Sequence, residues 1–93
     1  MKARLDPGEI VVTRGVASKM GKDEDFTKFI TNSFDRHIAG DWGDVCEEDS
    51  ETNEQALKDG YRLVSVYNND DTKVYIITEY DRSVTTILFP EEY

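Results

Sequence analysis

The sequence predicts an α+β fold of order β-α-α-β-β-β, an antiparallel meander sheet packed on one long amphipathic helix. Three observations carry that reading. Apolar residues recur at helical spacing from Phe26 to Ile38, whereas after Tyr61 apolar and polar residues alternate with a period of two, broken by Asn/Asp-rich turn signals. Near the N-terminus, Glu9-Ile10-Val11-Val12-Thr13-Arg14 is rich in β-branched residues and bounded by Gly15, the pattern of a short strand. At 93 residues the chain fits a single domain, residues 1–93, with one modest core.

The elements follow in order. A polar start closes at Pro7-Gly8, and the first strand comes next, expected at an edge of the sheet. Val16 to Met20 has room for one helical turn before Gly21. Asp23-Glu24-Asp25 then precedes Phe26, Phe29, Ile30, Phe34 and Ile38, with the acids placed to cap a helix and complement its dipole. Gly40 supplies the stop. His37 adjoins the Phe34/Ile38 side and is expected at the edge of the buried stripe, facing inward. A further helix is expected to start near Asp44, whose side chain caps while Glu47 reaches back in a capping box. Its sequence to Lys58 offers mainly Ala56 and Leu57 as anchors, so it is expected to be short and mostly exposed, with Gly60 as the exit. Leu63, Ser65 and Tyr67 then alternate with Arg62, Val64 and Val66 up to the turn Asn68-Asn69-Asp70-Asp71. Lys73 to Tyr80 and Val84 to Phe89 are the last strands, joined by Asp81-Arg82-Ser83, and Pro90 ends the sheet.

Charge narrows the function classes. The chain carries 20 acidic and 11 basic side chains, a net charge of −9. Residues 1–36 sum to +1 and residues 37–93 to −10, with no Lys or Arg between Arg36 and Lys58. Such a surface disfavours direct nucleic-acid binding and favours a basic protein groove, although solubility alone also accounts for it. One cysteine cannot form an internal disulfide. The N-terminal residues lack the apolar core of a signal peptide, and no apolar run approaches membrane-spanning length, so a cytoplasmic monomer or small homo-oligomer is expected.

The only His, Trp and Cys all fall within His37-Ile38-Ala39-Gly40-Asp41-Trp42-Gly43-Asp44-Val45-Cys46. His37, Asp41, Asp44 and Cys46 are acceptable donors for a structural zinc, favoured over hard cations because of the imidazole and thiol. Their spacing matches no standard finger. A purely structural assignment gives Asp41 and Asp44 to turn and cap hydrogen bonds, Trp42 to the core edge, Cys46 to a small buried filler and His37 to a satisfied core-edge position. Glu79, Asp81 and Arg82 form a second polar cluster. If it approaches the loop, Glu79 or Asp81 becomes a further ligand or orients His37, while Arg82 pairs with a carboxylate. An enzyme reading would use His37 with Glu79, or a metal-activated water, in a small hydrolase or regulatory enzyme. The chain has no phosphate cradle, nucleophile elbow or HExxH motif, and a non-enzymatic role is expected.

Two blocks resemble a known family: Arg36-His37-Ile38-Ala39-Gly40-Asp41-Trp42-Gly43-Asp44 with Asn53-Glu54-Gln55-Ala56-Leu57, and Ile76 through Tyr93. The chain resembles, over residues 30–93, small acidic proteins of bacterial mobile elements commonly labelled plasmid-related. The resemblance transfers no catalytic motif. It implies a phage- or plasmid-borne counter-defence context, and anti-CRISPR proteins are similar in size and charge. The expected function is therefore an inhibitor that binds a CRISPR effector nuclease, type II favoured, and blocks DNA loading or cleavage. Its expected contact surface is Glu47, Glu48, Asp49, Glu51 and Glu54.

Overall fold

In the computed structural model, which describes residues 3–93, strand β1 (Glu9–Val12) leads into helices α1 (Arg14–Met20), α2 (Glu24–Ile38) and α3 (Glu47–Asp59). Strands β2 (Leu63–Asn69), β3 (Thr72–Thr78) and β4 (Val84–Leu88) follow, with a 3-10 turn at Pro90–Glu92. Met1 and Lys2, the start of the polar N-terminal segment, lie outside the described residues.

The α+β class stands, with two corrections to the expected order. Arg14–Met20 is a two-turn helix, so three helices rather than two separate β1 from β2. The sheet is mixed: its order is β1-β4-β3-β2, and β1 joins β4 in parallel while β2, β3 and β4 form the antiparallel meander. Arg14 and Gly15 belong to α1 rather than to the end of the strand.

Helix α2 begins as its acids imply. Asp23 is the N-cap and accepts a hydrogen bond from the Phe26 backbone N–H at 3.0 Å, satisfying one of the donors a helix start leaves open. Its buried stripe is Phe26, Ile30, Ser33 and His37, flanked by the half-buried Phe29, Phe34 and Ile38. This stripe packs on the inward residues of the sheet. Tyr67, Val74, Ile76 and Ile87 join Val16, Phe26 and Ile30 in one apolar cluster, while Leu5, Trp42, Ala56 and Leu63 form a second. Burying side chains such as Ile76 and Leu63 contributes ~2 kcal/mol each, the ordinary return for removing apolar surface from water.

The two sheet edges differ. Along β2 the N–H and C=O of Val64 and Val66 and the N–H of Asn68 point away from β3, and other parts of the chain occupy them. The Asn53 side chain donates to the Val64 carbonyl (2.8 Å) and accepts from its N–H (3.2 Å). Val66 donates to the Trp42 carbonyl (3.2 Å) and accepts from the Asp44 N–H (2.7 Å), and the Asn68 N–H donates to the Asp44 carboxylate (3.0 Å). Asp44 therefore closes the sheet edge. The expected capping box is not formed: Cys46 occupies the N-cap of α3, with no side-chain cap bond.

Candidate functional site

His37 is fully buried rather than at the edge of the stripe. Its Nδ1 lies 2.6 Å from Ser65 Oγ and its Nε2 lies 2.8 Å from Thr78 Oγ1. Thr78 Oγ1 is in turn 2.7 Å from Thr85 Oγ1, and Thr85 donates to the Pro7 carbonyl at 2.7 Å. The Pro7 carbonyl only accepts, which orders the protons from Pro7 back to the ring. Thr85 gives its proton to Pro7, Thr78 gives its own to Thr85, and His37 donates from Nε2. Burial, followed by the nearby charge of Arg82, pushes the imidazole pKa down to about 4. The ring is therefore neutral at pH 7, with Nδ1 accepting from Ser65.

Beyond His37 the loop is fastened residue by residue. Trp42 is buried, its ring edge-on to His37 at 5.8 Å, and its Nε1 donates to Glu54 at 2.8 Å. Arg4 grips the same Glu54 with two bonds, of 2.8 and 3.1 Å, and these two partners hold the Glu54 carboxyl below its usual range, Arg4 contributing most. Asp41 accepts from Arg36 at 2.8 and 3.2 Å and from the Gly43 N–H at 3.1 Å, which likewise lowers its pKa, chiefly through Arg36. Gly43, at φ 78°, lies so close to the Val66 carbonyl and the Tyr67 ring that a Cβ there would overlap both.

This geometry separates the four residues considered for zinc. Both His37 nitrogens are engaged by hydroxyls, Asp41 is paired with Arg36, Asp44 is bonded to Asn68, and Cys46 is exposed rather than buried. Among the described residues no three His, Cys, Asp or Glu side chains gather where they could hold a metal ion.

The second polar cluster also serves other partners. Thr78, not Glu79, faces His37, as the alternation along β3 requires; Glu79 pairs with Arg62 at 3.8 Å. Asp81 accepts from the Ser83 N–H and hydroxyl within its own turn, at 3.1 and 2.6 Å. Among the described residues Arg82 takes no carboxylate. It donates to the carbonyls of Tyr61 (2.7 Å), Ala56 (3.0 Å) and Glu79 (3.1 Å), closing the C-terminal end of α3 against the hairpin. The Ser65–Thr78–Thr85 set was not among the expected site residues. Its signal was a hydroxyl residue at an inward position of three successive strands.

The remaining candidate surface is on α3. Glu47, Glu48, Asp49 and Glu51 are exposed and make no side-chain hydrogen bond or ion pair among the described residues. Glu54 departs from them, because it is the half-buried tie between Arg4 and Trp42. Beside these acids runs a depression of about 230 Å³ between α3 and β2, with Val45, Val64 and Val66 on its apolar side and Asp49, Thr52, Asn53 and Arg62 on its polar side. No family model, no curated protein and no solved structure matches the chain. Among the described residues, no helix is long and apolar enough to cross a membrane.

Proposed function

We propose that the protein is a non-enzymatic inhibitor of a nucleic-acid-handling nuclease, a CRISPR effector of type II being the favoured target, and that it binds through the acidic N-terminal half of α3. The observation that carries the reading is the set of carboxylates Glu47, Glu48, Asp49 and Glu51, exposed and unpaired among the described residues, on one helix beside a groove that includes Val45, Val64 and Val66. Such carboxylates are open to an outside partner, whereas those of Asp41 and Glu54 are engaged by Arg36 and Arg4. A basic channel that normally holds guide and target would be attracted to the acids, and the stems of its Arg or Lys side chains fit against Val45, Val64 and Val66. The resemblance of residues 30–93 to proteins of bacterial mobile elements supplies the context.

The test is cleavage of target DNA by representative CRISPR effectors with the protein titrated in before and after guide and target loading. Dose-dependent loss of cleavage near equimolar ratio is expected, with order-of-addition dependence identifying the blocked step. Absence of inhibition across effectors would overturn the reading.

A further inference from the structure

We propose that the β1 edge of the sheet is a self-association surface, on which a second copy of this chain adds its own β1 antiparallel across a two-fold axis at Val11. The inference is independent of the inhibitor reading. It starts from the contrast between the edges: every outward backbone group of β2 named above has a partner, while β1 is left open. Parallel pairing with β4 uses the odd residues, since Glu9 donates to the Ser83 carbonyl (3.0 Å) and Thr13 to that of Ile87 (3.1 Å). The N–H and C=O groups of Ile10 and Val12 therefore point away from the sheet, and no described backbone group meets them. Ile10 and Val11 are 53% and 39% exposed beside this open edge. An unpaired edge flanked by apolar side chains is a template for another strand.

The register follows from which residues are extended. Gly8 has φ 65° and Arg14 begins a helix, so pairing centred on Ile10 or Val12 would run into one or the other. Centred on Val11, Ile10 of one copy lies opposite Val12 of the other and the two exchange both bonds, leaving Val11 facing Val11 without bonds between them. The same register sets Glu9 of one copy beside the Thr13–Arg14 end of the other. Both side chains are exposed and lack an ion pair among the described residues, so carboxylate meets guanidinium at each end of the paired strands. Charge also favours this edge over the β2 edge. The strand order places β1 opposite β2, on which α3 packs, so the exposed acids Glu47, Glu48, Asp49 and Glu51 of the two copies lie away from the seam.

Sedimentation equilibrium from micromolar to millimolar protein tests the proposal. A monomer–dimer equilibrium is expected for the native chain. Ile10→Pro removes only an outward N–H, and should weaken dimerisation at least ~10-fold with the fold retained. Glu9→Arg and Arg14→Glu should each weaken it several-fold, and the double variant should recover it. In a Cys46→Ser background, Val11→Cys should cross-link on mild oxidation, since opposed residues of such a pair lie about 4.5 Å apart at Cα, within disulfide reach. Ile10→Cys, facing Val12, should cross-link far more slowly. A chain monomeric at every concentration would overturn the proposal. So would a dimer indifferent to Ile10→Pro and the charge exchange, or one cross-linked faster through Ile10→Cys than through Val11→Cys.

Discussion

At the scale of single residues, His37 shows what the loop around the only His, Trp and Cys does: it seals the core. The inward direction of His37 was legible from its place on α2, but its partners were not. Ser65 and Thr78 lie 28 and 41 positions away, and only the register Leu63↔Thr78 and Ser65↔Ile76 brings them to the same imidazole. In sequence His37 is equally a candidate ligand beside Asp41, Asp44 and Cys46 and a satisfied core-edge histidine; the hydroxyls that bind it decide for the second. A stability consequence follows. An unfolded chain protonates His37 below about 6.5, whereas the folded one resists protonation until about 4. The unfolded state therefore binds more protons throughout that window, and stability falls as pH drops through it. The full effect is ~3 kcal/mol, at about 1.4 kcal/mol per pH unit of displacement. Urea unfolding at pH 7 and pH 4.5 should show a difference that largely disappears in His37→Gln. A native-sized pH dependence in that variant would assign the effect to the carboxylates instead.

At the scale of elements, several signals act where they stand in the sequence. Asp23 caps α2, the Asn/Asp run turns β2 into β3, and Gly60 ends α3 in the left-handed conformation. Asp44, by contrast, is decided by distant chain. Asp44 has the sequence context of a helix cap, yet Asn68 competes for its carboxylate, and the loop is drawn onto the β2 edge where Gly43 bridges to Val66. Two glycines separate conformational strain from packing here. Gly60 and Gly43 have nearly the same φ, 77° and 78°, but a Cβ at Gly60 meets nothing within 4 Å while one at Gly43 meets the Val66 carbonyl and Tyr67. Gly60→Ala should cost ~1 kcal/mol, the ordinary left-handed penalty. Gly43→Ala should cost clearly more, with the loop displaced from β2. Equal losses in denaturant titration would show that the loop does not lie against the strand as described.

At the scale of the whole molecule, the fold class and the meander were legible because periodicity records which face of each element is buried. The direction of β1 was not, since it depends on the route of the N-terminal arm. Arg4 donates to the Ile38 carbonyl, Leu5 enters the second apolar cluster, and Pro7 accepts from Thr85, delivering the chain to β4 in the parallel sense. Charge segregation was visible in composition, but not its internal division. Of the expected contact residues, Glu54 is held within the fold by Arg4 and Trp42, whereas Glu47, Glu48, Asp49 and Glu51 are exposed. The central claim is that these four bind a basic surface, and reversing them tests it most directly. The affinity for a susceptible effector should be measured for the native chain and for Glu47→Lys/Glu48→Lys/Asp49→Lys/Glu51→Lys, with circular dichroism confirming the fold. The account predicts at least ~10-fold weaker binding for the variant and a native affinity that falls as salt rises. Equal affinity, insensitive to salt, would contradict it.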